Sequence, residues 1–415
     1  MGNRSSSPVL RVLNNGVRVC FEPFEGAQSF AMCLRFVGGV GDEPAEKLGL
    51  ANVTELAVMK GTDRKDAAGV FDALDSLGVS RSVNAGAEAF TFRAHLLPAK
   101  VGEALLIYRE VFESAAFPED EVALAKRLTL EQIKSLEDQP QRKIVLTSLR
   151  AALGFPLGRP KPGTEASVTS LDRDDVVRFW DRIAHPAALI LTAAGGMEEG
   201  TFFEAVEKAL LGWHKAGAVP DAHPVRIAPG VVHELKKSEQ AHIAVIYPGP
   251  PRDAGDFYAA QVAATVLSGS GSSRLFTEVR EKRGLVYTVS TAYSPFRSGA
   301  ITLLYAGTRA DRTDETLKVC LAEVNRLAED ISAEEFERAK SVILGRLRTV
   351  GELVAARSSS LVDDLLLQGT PRSLEDILDG VSSVTLEQAR AAARHYTPTP
   401  RTIAVLGPQE PGETR

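Results

Sequence analysis

The side chains with chemistry to offer are few and scattered. The seven histidines are His95, His185, His214, His223, His233, His242 and His395. A helical zinc site needs two imidazoles one turn apart, and no two of these stand four residues apart. Cys20, Cys33 and Cys320 are widely spaced and form no CxxC pair, which excludes a zinc ribbon and a disulfide framework. They read as buried thiols of a reducing compartment. No GxxxxGK[ST] loop is present to cradle a nucleotide phosphate, and no GxSxG elbow to hold a serine nucleophile. The run Ser268-Gly-Ser-Gly-Ser-Ser273 precedes a helical pattern and could aim backbone N–H groups at an anion. It lacks the lysine and the strand–loop spacing of a nucleotide site, so it reads as a loop.

The chain that must position these groups has 415 residues, 44% hydrophobic and 25% charged. That is ordinary globular usage, and it suffices for about two to four domains and a core that needs no covalent staples. A net charge of −6 argues against a nucleic-acid partner or a polybasic membrane contact. No apolar run reaches the ~20 residues of a membrane helix. The N-terminal residues have no apolar signal core. We expect a cytoplasmic chain with no membrane partner, or a periplasmic one if a signal has been removed. Met1-Gly2 with Ser6 also fits a short acylation pattern of a kind that often matches by chance.

An internal repeat organises the elements. Residues 90–133 and 303–347 both run from a β-like segment through a polar joint and an amphipathic helix to an acidic cap and a second helix. Lys126 falls on Lys340 and Glu121 on Glu335, at an offset of about 213 residues. The same offset carries Val168–Leu171 onto Val381–Val384, and the strand-like 187–196 onto 400–408. The expected fold is α+β: two homologous sandwich domains, each a mixed or antiparallel sheet with helices segregated to one face. The boundaries fall at 1–213 and 231–415, joined by a Pro- and Ala-rich linker over 214–230. Helices are expected near 48–60, 119–138, 273–282 and 333–356, with strands near 287–293 and 300–307.

Two segments carry a specific resemblance: LGLANVTELAVMKGT over 48–62 and SGSSRLFTEVREKRGLVYTVS over 270–290. Together with the repeat, they make the chain resemble the pitrilysin/insulinase family of zinc metallopeptidases, in its short two-subunit, processing-peptidase-like form. The resemblance runs from about residue 9 to 408. In that family the first segment reads GLAHxxEHxxFKGT, with two zinc-binding histidines and a glutamate as general base. Here the first histidine is replaced by Asn52, the glutamate survives as Glu55, and the second histidine is replaced by Leu56. The third family ligand, a glutamate further along, falls on Gln132, or on Glu131 if the register slips by one. Leucine has no lone pair, and neutral amide oxygens are weak zinc ligands. One carboxylate alone cannot hold Zn²⁺ or activate its water. The resemblance therefore implies a degenerate site, no zinc in this chain, and no peptidase activity for the chain alone. Glu55 is left as an exposed helix acid.

The second segment keeps what the first has lost. The family's C-terminal half supplies an arginine and, seven residues on, a tyrosine, which hold the scissile region of a peptide. These positions are Arg280 and Tyr287. A guanidinium offers a fixed fork of donors for a carbonyl or developing oxyanion, and a phenol adds one more. The resemblance implies a non-catalytic subunit of a heterodimeric zinc peptidase. A homologous partner subunit would carry the zinc and the HxxEH helix. Arg280 and Tyr287 would then act in trans on a peptide that joins a sheet edge as an added strand. The alternatives are a structural subunit, like those this family contributes to respiratory complexes, or a peptide-binding homologue without catalysis.

Overall fold

The computed structural model describes residues 7–396 and 400–412, so the acylation pattern at Met1–Ser6 lies outside the described residues. The strands are β1 (Val9–Val12), β2 (Arg18–Pro23), β3 (Phe30–Val37), β4 (Ser80–Ala85), β5 (Ala89–Leu96), β6 (Leu189–Gly195), β7 (Gly230–Leu235), β8 (Gln240–Gly249), β9 (Val286–Phe296), β10 (Gly299–Arg309) and β11 (Thr402–Gly407). The chain forms two compact units that interleave along the sequence. The first takes the stretch up to Lys134, Arg159–Ala222 and Thr349–Glu375; the second takes Ser135–Gly158, His223–Arg348 and the stretch from Asp376. Residues 213–229 carry neither helix nor strand.

In the first unit the sheet order is β1-β2-β6-β3-β5-β4. Only β2 and β6 run parallel; the other neighbours are antiparallel. Strand β3, FAMCLRFV, is buried at every position. An alternating strand becomes wholly buried only when both sheet faces are covered. Phe30, Met32, Leu34 and Phe36 enter the main core, where Phe36 meets Phe92, Phe112 and Trp180 edge-on. Cys33 and Val37 point the other way, onto Leu361, Val362 and Leu365 of the Val354–Leu367 helix, beside Cys20 and Ile190. Each large side chain so buried contributes about 1.5–3 kcal/mol. The expected segregation of helices to one face therefore does not hold, because a helix from late in the chain covers the second face.

That helix also carries charge inward. Arg357 is 2% exposed and donates to both carboxylate oxygens of Glu22, itself fully buried, at 2.6–3.1 Å. Arg35 reaches Asp363 at 2.6 Å, and Ser358 and Thr192 exchange hydrogen bonds through each other's carbonyl oxygens.

In the second unit the order is β7-β11-β8-β10-β9, and only β7 and β11 run parallel. The Pro140–Leu153 helix, from early in the chain, packs on β8 and β11 and buries Ile144, Ser148 and Ala152. Strand for strand, β7 to β11 repeat β2 to β6 in chain order and in sheet order. The repeat extends to single hydrogen bonds. Lys126 donates to the carbonyls of Thr169 and Leu171, and Lys340 donates to those of Ser382 and Val384. Lys60 pairs with Glu121 at 3.7 Å, and Arg274 pairs with Glu335 at 2.7 Å.

The three thiols are free and buried. Burial pushes Cys20 and Cys320 up to about 12 and Cys33 to about 11, which makes them unreactive near neutrality. Among the described residues no helix is long and apolar enough to cross a membrane.

Candidate functional site

The first candidate cluster is built on the Leu50–Ala57 helix. Its N-terminus is held by Glu43, only 3% exposed, whose carboxylate accepts the N–H of Ala51 at 2.7 Å and of Gly49 at 3.2 Å. Burial pushes the Glu43 carboxyl up to about 8, against the downward pull of those N–H groups and of Arg159. Gly49 has φ +89°, and a Cβ there would stand 2.7 Å from the Pro162 carbonyl, so only glycine fits. Arg159 donates to the carbonyl oxygens of Gly41 and Glu43, fastening the segment after Gly158 to this turn.

Three residues into the helix, Asn52 is 4% exposed. Its Nδ2 donates to Thr129 Oγ1 at 2.9 Å and to Gln132 Oε1 at 3.0 Å. Thr129 and Gln132 lie one turn apart on the Glu119–Ser135 helix. Of the two positions left open by the sequence, Gln132 is the one that meets Asn52. Glu131 is exposed and pairs with Lys134 at 3.1 Å. Leu56 is half-buried against the first unit's core. Glu55 is not the exposed acid expected from the sequence. Its side chain is 15% exposed, it pairs with Lys161 Nζ at 2.6 Å, and it accepts the backbone N–H of Ala85 at the end of edge strand β4.

These residues do not fit a zinc ion. Both hydrogens of the Asn52 amide are spent on Thr129 and Gln132, Leu56 offers nothing, and the one carboxylate is neutralised by an ammonium group. Zinc wants three or four imidazole, thiolate or carboxylate donors converging at about 2.0–2.3 Å. Among the described residues no group of three or more His, Cys, Asp or Glu side chains is placed to hold a metal ion. What stands here is a satisfied polar cluster in a packed helix pair.

The second cluster belongs to the second unit. Arg280 lies in a π-helical segment, Leu275–Glu281, and Tyr287 is the second residue of β9, an edge strand. The chain is pinned before Arg280 and again before Tyr287. Arg274, 6% exposed, is held by Glu335 and Asp330 at 2.7 Å each. Thr308 Oγ1 donates to Leu285 O at 2.6 Å, and Leu285 N–H donates to Val279 O at 3.0 Å. Gly284, with φ +58°, makes the reversal between them. Glu278 takes up two cations of the run, Lys282 at 2.6 Å and Arg283 at 2.7 Å. That leaves Arg280 exposed, its guanidinium 4.9 Å from the centre of the Phe276 ring. Tyr287 is 59% exposed. Among the described residues neither the Arg280 guanidinium nor the Tyr287 hydroxyl has a hydrogen-bond partner. Two donors on a rigid turn are thus open to an external acceptor.

Sequence reasoning missed Thr129, Lys161 and Phe276. Thr129 stands three residues before Gln132 and Phe276 four before Arg280, so helical spacing could have found both. Lys161 reaches Glu55 only through the tertiary fold.

With this geometry in hand, the comparisons are specific. Residues 19–161 match the model of insulinase, peptidase family M16, and residues 170–343 match that of the peptidase M16 inactive domain. Together these two models of one family span most of the chain, which belongs to the M16, or insulinase, family. The uncharacterized zinc protease SCO5738 of Streptomyces coelicolor is 29% identical over 409 residues, covering 95% of this chain and 88% of that protein. The uncharacterized zinc protease YmxG of Bacillus subtilis is 27% identical over 398 residues, covering 95% and 97%. The fold matches the crystal structure of a peptidase M16 inactive domain from Pseudomonas fluorescens, with a TM-score of 0.89 at 20% identity, over 98% of this chain and 99% of that one. It also matches a chain of complex III2 from Candida albicans, with a TM-score of 0.82 at 20% identity, over 96% and 95%.

Proposed function

We propose that this chain is the non-catalytic subunit of a heterodimeric zinc metallopeptidase, and that Arg280 and Tyr287 bind a peptide in the active site of a zinc-bearing homologous partner. One contrast carries the reading. The positions of the family's zinc ligands are closed on one another through Asn52 and Gln132, while Arg280 and Tyr287 stand on a pinned turn with their donors unspent. A guanidinium and a phenol so placed suit a peptide carbonyl whose oxygen gains charge as the bond is attacked. The partner supplies zinc and the activated water; this chain supplies donors and part of the enclosure.

The test is co-expression with a subunit bearing the HxxEH helix, followed by assay on a quenched-fluorescent peptide. The pair cleaves and neither chain does alone. Arg280→Ala lowers kcat/KM by about 10²–10³, the usual cost of one such donor, and Tyr287→Phe lowers it in the same sense. Turnover unchanged in both variants would remove the role in trans and leave a scaffold or peptide-binding homologue without a part in proteolysis.

A further inference from the structure

The geometry points to Phe276 as a positioning residue for Arg280, with Glu278 as the group that leaves Arg280 the unbridged cation of its turn; this rests on the reading of Arg280 given above. Three observations converge. The guanidinium carbon of Arg280 lies 4.9 Å from the Phe276 ring centre, within cation–π range. The backbone between them is π-helical, with the Lys282 N–H donating to Thr277 O five residues back at 2.9 Å. That wider turn brings residues four apart nearly into line, so the ring lies beneath the guanidinium.

Glu278, on the same turn, holds Lys282 and Arg283 through its two carboxylate oxygens. A long exposed arginine ordinarily samples many rotamers, and fixing it on binding costs affinity. A ring that already holds the planar fork reduces that cost, and bridging the neighbouring cations keeps them from competing for the same acceptor.

The isolated chain tests the positioning directly. In NMR spectra the Arg280 Nε–Hε peak, identified by its loss in Arg280→Lys, is displaced by the ring current. The displacement disappears in Phe276→Leu and persists in Phe276→Tyr. In the complex with a zinc-bearing M16 subunit, Phe276→Leu lowers kcat/KM on a quenched-fluorescent peptide by about two- to fivefold, and Phe276→Tyr restores it. Should Phe276→Leu fail to fold, Phe276→Met takes its place. If the leucine variant keeps both the displaced peak and full turnover while Arg280→Ala is impaired, the positioning role is wrong and the Arg280 reading survives. If Arg280→Ala itself turns over normally, the functional reading has failed, and the NMR displacement alone decides whether the ring holds the guanidinium.

Discussion

At residue scale, Asn52 and Gln132, which the family resemblance sets at zinc-ligand positions, meet through a hydrogen bond. In a chelate, lone pairs converge on a cation. Here one amide donates and the other accepts at 3.0 Å, and Thr129 Oγ1 accepts a hydrogen bond from the second Asn52 N–H. On the proposed reading, the ligand positions are one helix turn apart on Leu50–Ala57 and meet Gln132 of Glu119–Ser135, so the scaffold for ligands remains while the ligands are gone. Restoring them should restore the metal. The triple variant Asn52→His, Leu56→His, Gln132→Glu is expected to carry close to one equivalent of zinc by elemental analysis, where the unaltered chain carries only trace amounts. Equal zinc in both would mean that other residues bind it. Glu55, at the position the resemblance gives to the general base, is engaged by Lys161 and by the Ala85 N–H.

At element scale, the Val354–Leu367 helix shows why local pattern reading stops short. The spacing reads as one helix over 333–356, whereas the structure ends a helix at Gly351 and begins another at Val354. The second helix buries Arg357, Ser358 and Asp364 along with Leu361, Val362 and Leu365. Polar residues on the buried face erase the amphipathic stripe that would have announced it. They are tolerated there because Glu22, Thr192 and Arg372 satisfy them. Arg357→Met should therefore lower unfolding stability by about 3–5 kcal/mol in urea titrations, because it strands the fully buried carboxylate of Glu22. Adding Glu22→Leu should recover much of the loss. A loss no larger than that of an exposed arginine would show that the pair does not tie the helix to the sheet.

At the scale of the whole molecule, the repeat gives each unit the same five-strand order and equivalent supporting bonds, with different charge strength. Lys60–Glu121 in the first unit is the looser pair, while Arg274–Glu335 in the second is bidentate and reinforced by Asp330. The Arg274 guanidinium holds the Glu335 carboxyl down to about 2, against an ordinary value of 4.5. A carboxyl depressed by folding contributes stability that is complete above its unfolded value and is lost as pH falls towards its folded one. The melting temperature should thus drop between about pH 4.5 and 2. Glu335→Gln should melt lower at neutral pH and fall less steeply over that acid window. Identical slopes in the two proteins would assign the acid loss to other carboxylates.

Read as a chain of residues, the protein already declared its family, its doubled architecture and the Arg280–Tyr287 spacing, and it set Asn52, Leu56 and either Gln132 or Glu131 where the resemblance places zinc ligands. All of these are matters of local pattern and offset, which a linear sequence carries directly. The tertiary structure decided the rest. The choice of Gln132 over Glu131 depended on the rotation of one helix against another, and the capture of Glu55 on a lysine that lies 106 positions further along the chain. Coverage of the second sheet face in each unit depended on a helix drawn from a distant stretch of chain. Such contacts arise from loop closure and the burial of whole faces, and neither leaves a periodic mark in the residues that make them.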